Sequence, residues 1–125
     1  MSLDKMVTLL TTLIQRTDNG EVGWEETAGN DTYQVAFPDY TVRVAREDIE
    51  NQYGDIVGEN FTLGIYSDKG KLIDQVDVND LRNVLPDPHS TLKELYSSAR
   101  RNALGADKAL DEILSSLSEK GERSK

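Results

Sequence analysis

Apolar residues recur along this chain at two different periods, and the change of period divides it into elements. Leu3, Met6, Val7, Leu10, Leu13 and Ile14 fall on one stripe at helical spacing, which predicts a helix to about Arg16 capped by Ser2. Asp4 near its start and Arg16 near its end complement the helix dipole. The opposite face carries Thr8, Thr11 and Thr12 rather than lysines and arginines, so the pattern favours core packing over a membrane surface.

Beyond the turn residues Asp18-Asn19-Gly20 the period drops to two. Val22–Thr27 reads as a short strand around Trp24. Thr32–Phe37 alternates Tyr33, Val35 and Phe37 with polar or small residues. Tyr40–Arg46 does the same with Tyr40, Val42 and Val44. Short turn segments separate the three, which implies an antiparallel meander. Arg46–Gly58 is less regular and reads as a short helical turn around Glu47–Tyr53, ended by Gly54.

The clearest pattern is Phe61–Val78. Phe61, Leu63 and Ile65 alternate with Thr62, Gly64 and Tyr66, and Ser67-Asp68-Lys69-Gly70 supplies a turn. A two-residue loop at Lys69-Gly70 sets Leu63 opposite Val76 and Phe61 opposite Val78. A three-residue loop with a bulged Gly70 shifts the return strand by one and sets Phe61 opposite Asp77. A slip of one residue sends every side chain to the other face, so the first register is expected.

Asn79–Pro88 then reads as a connector with one helical turn at Asp80–Leu85. A second helix follows, capped by Ser90 or Thr91, with Thr91 and Glu94 at capping-box spacing. Its stripe is Leu92, Leu95, Tyr96, Ala99 and Ala103, and Gly105 ends or kinks it. Asp107 can cap a further stretch bearing Leu110, Ile113, Leu114 and Leu117 on one face. The whole reads as one α+β domain over residues 1–117, with Ser118–Lys125 a polar, flexible tail. An N-terminal helix and C-terminal helices pack on one face of a sheet of about five strands. Thr41, Arg43, Thr62 and Tyr66 lie on the other face.

Charge and composition narrow the function. The net charge is −9, and residues 17–59 alone hold eleven acids and two bases. From Ser90 to the end there are six acids and seven bases. A phosphate backbone is repelled by the first region and barely attracted by the second, so nucleic acid is not the expected partner. There is no cysteine, hence no disulfide, thiolate zinc site or thiol nucleophile. No apolar run is long enough to span a bilayer and no signal peptide is evident, so the expected location is cytoplasmic.

Catalytic patterns are weak. His89 is the single histidine, and Ser90 beside it is sequence adjacency without a triad. The acid pairs Glu25-Glu26 and Glu47-Asp48 are neighbours, which in a strand point to opposite faces. Asp74, Asp77, Asn79 and Asp80 lack the glycine and late glutamate of a calcium loop. No glycine pattern forms a phosphate loop, and no cofactor or metal is expected. The leading expectation is a non-catalytic protein-interaction module, a dimeric adaptor or chaperone-like protein whose partner is another protein or a second copy. The candidate interaction surface is Arg43 and Tyr66 on the sheet, with Tyr96 and Arg100 on the second helix. Two alternatives stand beside it: a small-ligand domain with a pocket lined by Trp24, Tyr33, Tyr40 and Tyr66, and an enzyme of another type. In size, acidity and the order helix, three strands, short helix, two strands, helix, the chain resembles the secretion-chaperone fold. Members of that fold bind effectors as dimers, which is what the resemblance implies here, and the additional C-terminal segment departs from it.

Overall fold

The computed structural model describes residues 3–123. In chain order they form α1 (Leu3–Asp18), β1 (Glu25–Glu26), β2 (Thr32–Ala36), β3 (Tyr40–Glu50), β4 (Ile56–Ser67), β5 (Leu72–Asp77), α2 (Pro88–Leu104) and α3 (Ala106–Arg123). The strands make one antiparallel sheet in the order β1-β2-β3-β4-β5, the meander expected from short connections. The architecture is α+β, with an N-terminal helix and two C-terminal ones. No described helix is long and apolar enough to cross a membrane. The proposed cap Ser2 lies outside the described residues.

One face of the sheet is covered. Met6, Leu10 and Leu13 of α1 and Leu92, Leu95, Tyr96 and Ala99 of α2 meet Tyr33, Val35, Val42, Val44, Phe61, Leu63 and Val76 in a single buried cluster. Leu81, from the turns between β5 and α2, closes it.

Four local expectations need correction. The first strand is shorter than the span Val22–Thr27. The Trp24 backbone N–H donates to Asn102 Oδ1 at 2.7 Å instead of to a neighbouring strand, and its indole N–H donates to Thr17 Oγ1 at 2.9 Å. Trp24 is thus tied to both helices, and pairing begins only at Glu25. The second correction is the start of α2. Asp87 is its cap, accepting from the Ser90 N–H at 3.1 Å, with Pro88 at the first helical position. Proline fits there because that N–H has no helical partner. Ser90 and Thr91 therefore lie inside the helix. Gly105 does end α2, at φ +68°, where an L side chain is disfavoured.

The third correction concerns Glu47–Tyr53, which holds no helical turn. β3 runs on to Glu50 and returns as β4 through a hairpin. The short helix in the secretion-chaperone order therefore has no counterpart here.

The fourth concerns the β4–β5 loop, which spans three residues. Ser67 N–H donates to the Lys71 carbonyl at 2.8 Å, leaving Asp68, Lys69 and Gly70 as the loop, with Gly70 at φ +84°. Leu63 nevertheless faces Val76. The register is recovered because Ile73 is bulged out between the pairs Tyr66–Leu72 and Ile65–Asp74. The β3–β4 turn repeats this device. Asn51 N–H donates to the Asp55 carbonyl at 2.9 Å, and Gly54 sits at φ +81°. Val57 is bulged between Glu50–Ile56 and Ile49–Gly58. In both turns the first side chain, Asn51 Oδ1 or Ser67 Oγ, accepts from the N–H four residues on. A three-residue loop offsets the strands by one, and the bulge restores apolar against apolar.

The span expected to be a flexible tail enters α3, which continues through Arg123; the last two residues lie outside the described set.

Candidate functional site

A charged cluster joins α2 to the sheet where β3 and β4 leave the core. Asp48 and Glu59 stand directly opposite each other on the two strands, an unfavourable pair by itself. Arg46 resolves it, with Nη2 at 2.9 Å from Asp48 and Nε donating to Glu59 at 2.9 Å. Arg46 also lies 3.7 Å from Asp31. From α2, Lys93 Nζ approaches Glu59 at 3.1 Å and His89 Nε2 at 3.4 Å. The hydrogen bond from Arg46, then that from Lys93, holds the Glu59 carboxyl below its ordinary value of 4.5.

Asp31 anchors the other side. It is the one described non-glycine residue with positive φ, at +58°, a region that Asp tolerates. Its carbonyl accepts from Arg46 N–H at 3.0 Å, and its carboxylate accepts from the Tyr96 hydroxyl at 3.2 Å. Burial, followed by the nearby Asp31 charge, pushes the Tyr96 phenol up to about 12.

Glu59 therefore gives an acid-side expectation. Its folded pKa is depressed, so its contribution to stability is present above pH 4.5 and is lost as pH falls through the folded value. Urea midpoints measured from pH 6 to 3 should fall more steeply for the native chain than for Glu59→Gln. Parallel curves would show that Glu59 does not couple to folding.

The candidate surface residues do not converge. Arg43 and Tyr66 lie on the uncovered sheet face, where the guanidinium stacks 4.4 Å over the ring and donates to Gln34 at 3.1 Å. Gly64 makes room for that ring, since a Cβ there meets Tyr66 Cε2 at 3.0 Å. Tyr96 is instead a core residue, edge-on to Tyr33 and tilted against Phe61. Arg100 is exposed on α2 beside an open cleft of about 390 Å³ with Glu26, Asn30 and Asp31. The aromatics considered for a pocket also separate. Trp24 and Tyr33 are buried in the core, Tyr40 is exposed, and Tyr66 is on the uncovered face. The aspartates where β5 ends serve the chain, Asp77 and Asp80 each accepting the other's backbone N–H at 2.9 Å.

Besides Phe37, Tyr40, Leu72 and Ile73 near the β4–β5 loop, the structure assembles exposed apolar surface in two further places. The first is α3, which follows α2 directly after Gly105 and leaves Leu110, Ile113, Leu114 and Leu117 between 47% and 62% exposed. The small residues Ala109 and Ser116 flank Ile113 in a shallow groove along it. The second is the far end of the β3–β4 hairpin. Ile49, Tyr53, Ile56 and Val57 are between 46% and 78% exposed there. The helical stripe was legible in sequence, but its lack of cover was not. No protein-family model, curated protein or solved structure matches the chain.

Proposed function

We propose that this protein is a non-catalytic protein-interaction module that works as a homodimer joined through α3. The apolar stripe of α3 carries the reading. Four aliphatic side chains at i, i+3, i+4 and i+7 form a helix-packing seam, and single exposed apolar residues are common whereas contiguous ones mark contacts. Ala109 and Ser116 permit close approach of a second helix.

Charge favours a second copy as the occupant. The chain is strongly acidic, but residues 90–125 are near neutral. α3 itself carries five acids and three bases, so two copies meeting through it bring a mildly acidic, mixed-charge surface together and hold the strongly acidic residues 17–59 apart. Such a contact is isologous, each α3 meeting its equivalent, and it closes as a dimer. Eighteen residues give about 27 Å of helix, an interface at the small end of the stable range, so association in the micromolar range is expected.

The test is solution mass by light scattering over a concentration series. The native chain should approach twice the chain mass. Ile113→Ser with Leu117→Ser should stay monomeric at the same concentrations and remain folded by circular dichroism, because both side chains lie outside the buried core, while its urea midpoint loses the part that association adds. A native chain that is monomeric throughout, or a double variant that still dimerises, overturns the proposal.

A further inference from the structure

The β3–β4 hairpin projects beyond the rest of the sheet. β2 accompanies β3 only as far as the pair Thr32–Ala45, and β5 accompanies β4 only from Thr62–Asp77. Past those points the Arg46 N–H still donates to the Asp31 carbonyl at 3.0 Å and the Val78 N–H to Asn60 Oδ1 at 3.4 Å; beyond them Glu47–Glu50 and Ile56–Glu59 pair only with each other. This two-stranded arm therefore has both outer edges open. An unsupported hairpin is marginal in water, and an open edge is a template for another strand. Elsewhere the sheet edges are blunted. β1 is two glutamates long, and β5 is broken by the bulge at Ile73.

The arm combines exposed aliphatic surface with one sign of charge. Ile49, Ile56 and Val57 are exposed, and Tyr53 tops the turn. Residues 47–58 contain Glu47, Asp48, Glu50 and Asp55 and no base. Arg46 at the root is committed to Asp31, Asp48 and Glu59. A second copy's arm brings the same acids and is repelled, as is any acidic chain. We infer that this arm is a strand-docking site for an extended segment of another protein in which basic and aliphatic residues alternate. Such a segment hydrogen-bonds to an open edge, its basic side chains pair with the arm's carboxylates, and its aliphatic ones cover Ile56 and Val57. The site is separate from α3, so it stands or falls independently of dimerisation.

The probe is a labelled peptide of alternating lysine and valine, titrated against the full chain by fluorescence anisotropy at moderate salt. Saturable binding is expected, with backbone amide shifts concentrated in residues 46–60. Ile56→Ser with Val57→Ser leaves the charge unchanged and should weaken binding at least about tenfold. A peptide of alternating lysine and serine should bind the native chain at least about tenfold more weakly. Circular dichroism confirms that the double variant is folded. Equal binding of the two peptides would reduce the effect to general attraction by an acidic protein and overturn the inference. So would equal binding by the double variant, amide shifts elsewhere, no binding, or loss of self-association in the arm variant, which would give the arm to a second copy.

Discussion

Phe61→Ala is expected to destabilise the fold by about 4 kcal/mol, the loss seen when a fully buried aromatic leaves a cavity. Phe61 is 1% exposed and sits at the junction of both layers. Its ring centroid lies 5.3 Å from His89 and 5.4 Å from Tyr96 on α2. It is also the last core residue of β4 before the arm begins, since its partner Arg46 already belongs to the charged cluster. Neither neighbour can fill the space. Tyr96 is held by Asp31, and His89 lies beside Glu59. A domain of this size has about 5–15 kcal/mol in all, so the variant should be close to unfolding at room temperature. Phe61→Leu keeps most of the volume and should lose about 1 kcal/mol. Ile56→Ala, on the exposed arm, should change stability by no more than about 0.5 kcal/mol. Urea unfolding followed by tryptophan fluorescence orders the three. If Phe61→Ala costs no more than Ile56→Ala, the layer junction described above is wrong.

Phe61 was also where the sequence spoke most plainly. Alternation through Phe61, Leu63 and Val76 identified both strands and their register, because burying one face leaves a single acceptable pairing. The expectation of a two-residue loop fails for the same reason. A bulge at Gly70 alone leaves the three-residue loop out of register, and the second irregularity, at Ile73, restores it. The equivalent turn at Asn51–Gly54 is hidden in the sequence although its side chain and glycine have the same spacing as Ser67 and Gly70. Glu47, Asp48 and Glu50 obscured the strand period there, because a projecting arm has no buried face to impose one. Asp87-Pro88 concealed the start of α2 by resembling a connector, although that is where proline is best tolerated.

The surfaces were less legible than the core. An amphipathic pattern says which face of α3 is apolar; it does not say whether anything covers that face. Tyr96 shows the converse. Its place on the α2 stripe was clear, yet as a surface candidate it grouped with Arg100, one helical turn away, which points to solvent while Tyr96 points into the core. Charge was the more useful guide. The contrast between the acidic residues 17–59 and the near-neutral C-terminal part separates a surface that tolerates a second copy from an arm that repels one.

Alkaline unfolding should be governed in part by Tyr96. Its phenol is raised from 10.0 to about 12 in the folded chain, first by burial and then by the Asp31 carboxylate. A raised folded value means that the contribution is complete below pH 10 and is lost as pH rises toward 12, where the unfolded chain has released the proton and the folded chain still holds it. Two pKa units correspond to about 3 kcal/mol. Tyr96→Phe has no proton to lose. It forfeits the hydroxyl bond to Asp31, worth about 1 kcal/mol near neutrality, and should then keep its stability where the native chain declines. The two curves of urea midpoint against pH should cross between pH 10 and 12, with the native chain the more stable below the crossing and Tyr96→Phe above it. The tyrosines that do not touch Tyr96 are common to both chains and cancel in the comparison. Curves that stay parallel would mean that Tyr96 ionises as freely folded as unfolded, and that the Tyr96–Asp31 contact does not hold α2 against the sheet.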